Sequence, residues 1–333
     1  MKKFLAILIV GIMSITQVFA IPSQVIPIGR TAGIAVMYDG VLVAGLSQVE
    51  TEQGFISPAE LAGIETGDII KEINGQKILS NDNIIEVISA SNGEAMEIIF
   101  ERDGENHTVK ITPVLEKNEG SYKIGVWVRD SMAGIGTITY IDPETSVYGG
   151  LGHSIADSDT GELTAISEGT LIPSSVEDVI KGESGSAGEL KASYNATVKV
   201  GTVEINTNQG IFGKTEDTYF EYTKAVDVAD FSEVTTGKAY VLTNVQGEQV
   251  EAYEINILSI NNQVDSDINF TVQITDSNLL EVTGGIVQGM SGSPILQNGK
   301  IIGAMTHVLV NEPTVGYAIY IGNMLETAEE IVS

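Results

Sequence analysis

The stretch Gly289-Met290-Ser291-Gly292-Ser293-Pro294 places a serine among glycines on what reads as a tight turn. Glycine lets the backbone take left-handed angles, which can expose Ser291 Oγ and aim neighbouring N–H groups at one point. An oxyanion forming on a bound carbonyl would be stabilised there, with the N–H groups of Gly289 and Ser291 as expected donors. A neutral hydroxyl attacks an amide poorly, so the serine needs a base. The chain has three histidines, His107, His153 and His307, and no cysteine. His153 lies in Gly149-Gly150-Leu151-Gly152-His153-Ser154-Ile155, a glycine-rich turn after a β-type run, from which a side chain can reach a cleft. His107 falls on a strand of another region, and His307 follows the strand 301–305 close behind the serine, where it reads as a packing residue. His153 is therefore the expected base. A carboxylate should orient its imidazole, and the residues alone leave Asp157, Asp159, Asp227, Asp230 and Asp276 open. The absence of cysteine removes thiolate nucleophiles, disulfides, zinc–thiolate sites and iron–sulfur clusters together. With so few histidines as well, neither a metal nor a cofactor is expected.

Such residues must be held by rigid elements. Beyond a linker at 116–121 the chain reads as all-β, with alternating or β-branched runs at 163–166, 196–205, 239–245, 251–259 and 267–274. Helical patterns are short, at 174–180 and 321–332. Many short strands with regular turns suggest a sandwich or a barrel. Upstream, residues 31–115 mix strands and helices: strands at 33–38, 41–43, 69–73, 97–101 and 107–114, and turns at Asn74-Gly75 and Asp103-Gly104. Ser57 and Pro58 signal a helix start ended by Gly63. Residues 81–90 read as a second helix, with Ile84, Ile85 and Ile88 on one face. Lys2 and Lys3, an apolar run at 4–13 and Val18-Phe19-Ala20 read as a signal peptide over residues 1–20, or an uncleaved N-terminal anchor. The apolar run is short for a membrane span, which needs about 20 residues.

The strings Ser57-Pro58-Ala59-Glu60-Leu61-Ala62-Gly63-Ile64, Thr66-Gly67-Asp68-Ile69-Ile70 and Ile73-Asn74-Gly75 resemble a bacterial PDZ domain, assigned here to 31–115. PDZ domains add an extended peptide as a strand to a sheet edge, after a carboxylate-binding loop. Gly40 leading into Val41, Leu42 and Val43 is the expected peptide-binding edge. In the region 121–333, the serine loop followed by strand, turn (Gln297-Asn298-Gly299-Lys300) and strand resembles the end of chymotrypsin-like peptidases. The expected fold is thus mainly β: a PDZ domain followed by a chymotrypsin-like double β-barrel. Met290 stands where digestive members carry the aspartate that pairs with a new N-terminus, so that activation route is closed and the PDZ is the candidate for control. Ser293 also replaces a glycine of the loop.

Longer strings extend the likeness: Gly125-Val126-Trp127-Val128-Arg129-Asp130, Gly134-Ile135-Gly136-Thr137, the His153 turn, residues 283–294 and Gly303-Ala304-Met305-Thr306-His307-Val308. They resemble the stage IV sporulation protein B peptidase family, as does the order of leader, PDZ and peptidase. That resemblance implies a serine endopeptidase exported into the space between the two membranes around the forespore. There it would cleave itself and a regulatory membrane protein, activating an intramembrane protease that processes a late sporulation sigma factor. It also implies His153, Ser291 and Asp276 as the triad, although a chymotrypsin-like layout would place the aspartate elsewhere.

The chain carries 17 basic against 45 acidic side chains, a formal charge of −28. Nucleic-acid binding needs clustered Lys and Arg, so that partner class is excluded. The expected partners are a peptide or protein substrate and a PDZ ligand peptide. Two rival readings predict different behaviour. A PDZ-mediated binding module with an inactive peptidase-like domain would ignore the loss of Ser291, and a quality-control protease would cleave unfolded proteins broadly.

Overall fold

Two long strands set the architecture, because each is shared by both lobes of the molecule. The computed structural model describes residues 21–156, 166–195, 197–216, 220 and 224–332. Residues 1–20, where the leader is expected, and Asp157 and Asp159 lie outside them. Strand β1 (Gln24–Pro27) leads into β2 (Thr31–Leu46), which absorbs both segments expected as separate strands. Between Met37 and Leu42 the register of β2 against its partner slips, and Gly40 takes φ 138°. A Cβ on Gly40 would meet Ile70 O at 2.6 Å, so only glycine fits this bend.

Beyond the bend the chain builds the small lobe. Helix α1 (Pro58–Leu61) starts behind Ser57 with proline in its first turn, though Ser57 makes no capping bond. Strand β3 (Ile69–Ile73), helix α2 (Asn81–Ala90), β4 (Met96–Arg102) and β5 (Glu105–Ile111) follow. Ser80 Oγ caps α2 by accepting from the Asn83 N–H at 3.2 Å. Ile84 and Ile88 are buried, but Ile85 is 60% exposed, a correction to the expected three-residue face. One residue is about 100° of rotation on a helix, enough to turn Ile85 off a narrow buried stripe. The lobe closes around Val41, Val43, Ile64, Ile70, Ile73, Ile98 and Phe100.

The chain returns on β6 (Val126–Ile141), antiparallel to β2 from Val126 opposite Leu46 to Thr137 opposite Thr31. Ile124, Val126 and Val128 pack into the small-lobe core. Ala32, Ile34 and Val36 instead share a core with Ile138, Leu151 and Leu171 of the large lobe. The boundaries expected from sequence, 31–115 and 121–333, therefore shift at both ends. The small lobe is an insertion between β2 and β6. Alternation tells which residues form a strand, whereas only pairing tells which sheet it joins.

Strands β7 (Val147–Gly150), β8 (Ile166–Ile180) and β9 (Gly210–Lys214) complete a curled sheet ordered β9-β7-β6-β2-β8. Residues 174–180, expected as a short helix, are the end of β8 and pair with 188–194. In so short a segment, cross-strand partners outweigh a marginal helical pattern. The second half comprises β10 (Gly237–Thr243), β11 (Glu251–Ile260), β12 (Phe270–Ile274), helix α3 (Ser277–Thr283), β13 (Pro294–Gln297), β14 (Lys300–Val308) and β15 (Val315–Tyr320). Its strands close as a barrel in the order β10-β11-β12-β15-β14-β13. Helix α4 (Ile321–Val332), as expected, ends the chain and wedges Ile321, Met324 and Leu325 against Tyr140, Val147 and Phe212 of the curled sheet and Ile301 and Ile319 of the barrel. The fold is thus mainly β, a PDZ lobe on a chymotrypsin-like body. The second half of that body is a closed barrel and the first a curled half-barrel. Among the described residues no helix is long and apolar enough to cross a membrane.

Candidate active site

Each half of the body delivers one of the two side chains expected to react, and both line one cleft. After β7 the chain turns through Leu151 (φ 64°) and Gly152 (φ 69°) to His153. A Cβ on Gly152 would lie 2.9 Å from Thr306 Cγ2, so the turn sits directly on β14 of the other half. Asn206 fixes this loop from behind. Its Oδ1 accepts from the Ile155 N–H at 2.7 Å and its Nδ2 donates to Ile155 O at 2.9 Å.

The serine loop runs from residue 287 to β13, and β6 holds it. The Thr137 N–H donates to Ser291 O at 2.9 Å, Thr137 Oγ1 to Gly289 O at 2.7 Å, and Thr139 Oγ1 to Gly292 O at 2.7 Å. Gly292, at φ 94°, has no space for a side chain: a Cβ would meet Thr137 O at 2.0 Å. These bonds use the carbonyls of Gly289 and Ser291. Among the described residues their N–H groups donate to nothing. Two free donors beside a serine are what an oxyanion site requires.

His153, Ser291 and His307 line one cleft between the halves, with Met132, Ala133, Gly134 and Ile135 along one wall. His153 Nδ1 lies 2.8 Å from Ser154 O. A carbonyl can only accept, so Nδ1 carries the proton and Nε2 presents its lone pair. The His153 and His307 rings lie 4.9 Å apart between centroids, tilted by 38°. Burial holds the His153 pKa below the ordinary imidazole value. The Ser154 bond works against that shift, and His307 adds a further lowering. Burial lowers His307 too. Ser291 Oγ donates to Thr306 O at 2.7 Å rather than to His153.

The structure does not bring Asp276 to this cleft. Asp276 is the N-cap of α3, where Oδ1 accepts from the Asn278 and Leu279 N–H groups at 2.9 and 3.1 Å. Its other oxygen accepts from the Glu254 N–H at 3.4 Å. An aspartate before a short helix satisfies donors that the helix cannot pair itself, which gives Asp276 a structural place. The other described candidates are also engaged elsewhere: Asp227 accepts from Gln24 Nε2 at 2.7 Å, and Asp230 caps the turn Phe231–Glu233. Among the described residues no carboxylate bonds to His153, and the Ser154 carbonyl occupies the orienting position.

The expected peptide edge is also corrected. Val41 and Leu42 pair with Ile70 and Ile69 of β3 on one side, and Leu42 and Val43 with Arg129 and Val128 of β6 on the other. Val41, Leu42 and Val43 are thus held within the sheet, Gly40 is the bend packed against Ile70, and the four offer no open edge. The open edge belongs to β6. Between Val126 and Gly136 it pairs with β2 on one side and with no described strand on the other. In the loop before it Gly125 takes φ 83°. Ile124 O accepts from the Ala59 N–H at 2.8 Å and Gly125 O from the Ser47 N–H at 2.9 Å, yet among the described residues the Ile124 and Gly125 N–H groups donate to nothing. Helix α2 flanks this edge: Gly93, just past its end, abuts the Tyr122 ring, and Asp130 Oδ2 accepts from the Asn81 N–H at 2.9 Å. The signal was present as Ile124-Gly125-Val126, a glycine between apolar residues opening a strand.

Fold and cleft together define a serine peptidase with a PDZ lobe. The chain belongs to the SpoIVB peptidase S55 family, whose profile matches residues 120–325, and a PDZ domain profile matches residues 57–102. Curated relatives align over shorter stretches. A Lactococcus lactis protein whose name assigns it to the zinc metalloproteases is 35% identical over 77 residues, which is 23% of this chain and 17% of that protein. A Haemophilus influenzae protein named as a periplasmic serine protease of the do/HhoA type is 34% identical over 113 residues, 28% of this chain and 24% of its own. The chain thus spans less than a quarter of the length of each. Among solved structures, the PDZ domain of the SdrC-like protein from Listeria monocytogenes shares 27% identity over 28% of this chain and 93% of its own, with a TM-score of 0.24. The inactive form of the Rv3671c protease of M. tuberculosis shares 14% over 60% of this chain and 85% of its own, with a TM-score of 0.35.

Proposed function

We propose that this peptidase is exported and acts through Ser291 as acyl nucleophile and His153 as general base, then acid. One observation carries the reading: Ser291 and His153 share a cleft in which the N–H groups of Gly289 and Ser291 are unused. In the resting arrangement Ser291 Oγ is parked on Thr306 O. Rotation about χ1 would turn it toward His153 Nε2. Oγ then bonds to the scissile carbonyl carbon as Nε2 takes its proton, and the oxyanion rests on the two N–H groups. Breakage of the C–N bond takes that proton from Nε2 to the leaving amine, leaving an acyl-serine. Water repeats the sequence: its oxygen bonds to the acyl carbon as Nε2 takes its proton, and the ester C–Oγ bond then breaks as that proton passes to Ser291 Oγ, releasing the acid and restoring the serine. The imidazolium formed in each half-reaction keeps its Nδ1–H on Ser154 O.

The physiological reading follows the family. The protein would work between the two membranes around the forespore, cutting itself and a regulatory membrane protein and so activating an intramembrane protease that matures a late sporulation sigma factor. The leader pattern at 1–20 and the family match support it. The test is incubation of purified protein with its Ser291→Ala counterpart, with cuts mapped by mass spectrometry and a serine-directed phosphonate as label. Wild type should cut the variant and label at Ser291, and the variant alone should lose on the order of 10⁶-fold in turnover. Wild-type-rate cleavage by Ser291→Ala would sink the assignment.

A further inference from the structure

The two pairs of unused N–H groups lie at opposite ends of one strand. Ile124 and Gly125 stand at the start of β6, and Gly289 and Ser291 are bound to its far part through Thr137. Between them the outer edge of β6 is unpaired by any described strand from Val126 to Gly136. Its first half faces α2 in the PDZ lobe, and Met132, Ala133, Gly134 and Ile135 already line the peptidase cleft. While β2 slips register at the junction, β6 runs on as one strand. An edge of this kind accepts an added strand by main-chain hydrogen bonds, whatever the sequence of that strand.

We infer that one extended polypeptide with a free C-terminal carboxylate occupies both sites at once, so that the enzyme measures its cut from the substrate's C-terminus. The carboxylate would sit on the Ile124 and Gly125 N–H groups, which suit an anion because their carbonyls are turned away into bonds with Ala59 and Ser47. A chain ending there and running toward Ile135 lies antiparallel to β6. Its terminal residue stands opposite Val126, and its contacts with Ile135 come some nine residues upstream, a rise of about 30 Å at roughly 3.3 Å per residue. The scissile bond then falls about ten residues before the C-terminus, and the fragment beyond it is the leaving side. Val126 and Val128, half-buried beside Val87 of α2, would receive an apolar terminal side chain. The second half of the inference rests on the peptidase reading above.

The experiment uses the full protein and a random-sequence peptide library of about 24 residues ending in a free carboxylate, beside the same library amidated. Mass spectrometry should place cuts in a narrow band about ten residues from the free end. Amidation, which removes the charge from that end, should slow cleavage about tenfold or more. Cuts set by local sequence at any distance from the end, or an indifferent response to amidation, would overturn the ruler while leaving the peptidase intact. A second measurement does not depend on turnover. The Ser291→Ala protein is crosslinked with peptides carrying benzoylphenylalanine at successive positions. Probes near the C-terminus should label 122–128 or α2, and probes about ten residues upstream should label 286–291 or 306–308. Labelling without that register overturns the proposal. The correct register without cleavage by wild type would uphold it and refute the peptidase reading instead.

Discussion

At the scale of the residue, His153 is tuned by where it is buried. Burial and the neighbouring His307 favour its neutral form, which is the form a general base needs. The acid limb of kcat/KM should therefore have its midpoint below the ordinary imidazole value of 6.5. Replacing His307 with Gln should move that midpoint up, toward 6.5, while activity at neutral pH persists; a pH–rate profile reads both. Stability follows the same sign. The folded pKa values of His153 and His307 lie below the unfolded value, so the unfolded chain binds more protons in acid. Their contribution is fully present above about pH 6.5 and is lost as pH falls through the folded values, visible as a falling Tm. Asp276 offers a sharper contrast. As an N-cap it tolerates Asn, whereas Ala should cost about 1 kcal/mol of stability. An orienting aspartate would instead lose about 10⁴-fold in kcat on change to Asn. Asp276→Asn is expected to keep near-normal kcat and Tm, and a large loss of kcat with an intact fold would return the residue to the triad.

At the scale of the element, β6 matters more than any other strand. It is the common wall of the PDZ groove and the cleft, and three of its hydrogen bonds set the serine loop. Thr137→Val preserves shape but leaves Gly289 O without its partner. It should lower kcat about tenfold through a slackened oxyanion site, with Tm falling by only a few degrees. Unchanged kinetics would show that the loop holds itself. The strings Gly125–Asp130 and Gly134–Thr137 were visible in the sequence, but as two motifs. Nothing in their spacing says that they form one strand. That follows from register against β2, which a sequence does not carry. The same limit explains residues 174–180, whose spacing of Val176, Val179 and Ile180 fits either a helix face or a strand beside partners from 188–194.

At the scale of the whole molecule, the acidity has a physical consequence independent of the site. With −28 formal charges the folded chain repels itself. Raising salt from about 10 mM to about 150 mM shortens the Debye length from ~30 to ~8 Å. Tm should rise over that range, and a flat response would mean that the acidic groups are already compensated locally. The insertion of the PDZ lobe between β2 and β6 also ties the two lobes by paired strands rather than by a flexible linker. A ligand on one lobe therefore acts on a strand that the other lobe uses.

Composition and local motifs were enough to name the class and to narrow the candidate chemistry. Without cysteine and with three histidines, few nucleophile and base choices existed, and glycine-flanked Ser291 and His153 stood in loops of the right kind. The PDZ strings and the mainly β pattern were equally local, since turn glycines and alternating apolar residues act over a few positions. Which aspartate caps a helix, which strand keeps an edge that no described strand pairs, and which carbonyls are spent while their N–H groups are not became visible in the folded chain alone. Those properties depend on partners distant along the chain. Asp276 answers to the first turn of α3, Leu42 is enclosed by β3 and β6, and the Ser291 loop hangs from Thr137. Hydrogen-bond satisfaction is a sum over neighbours in space, and a one-dimensional pattern does not contain it.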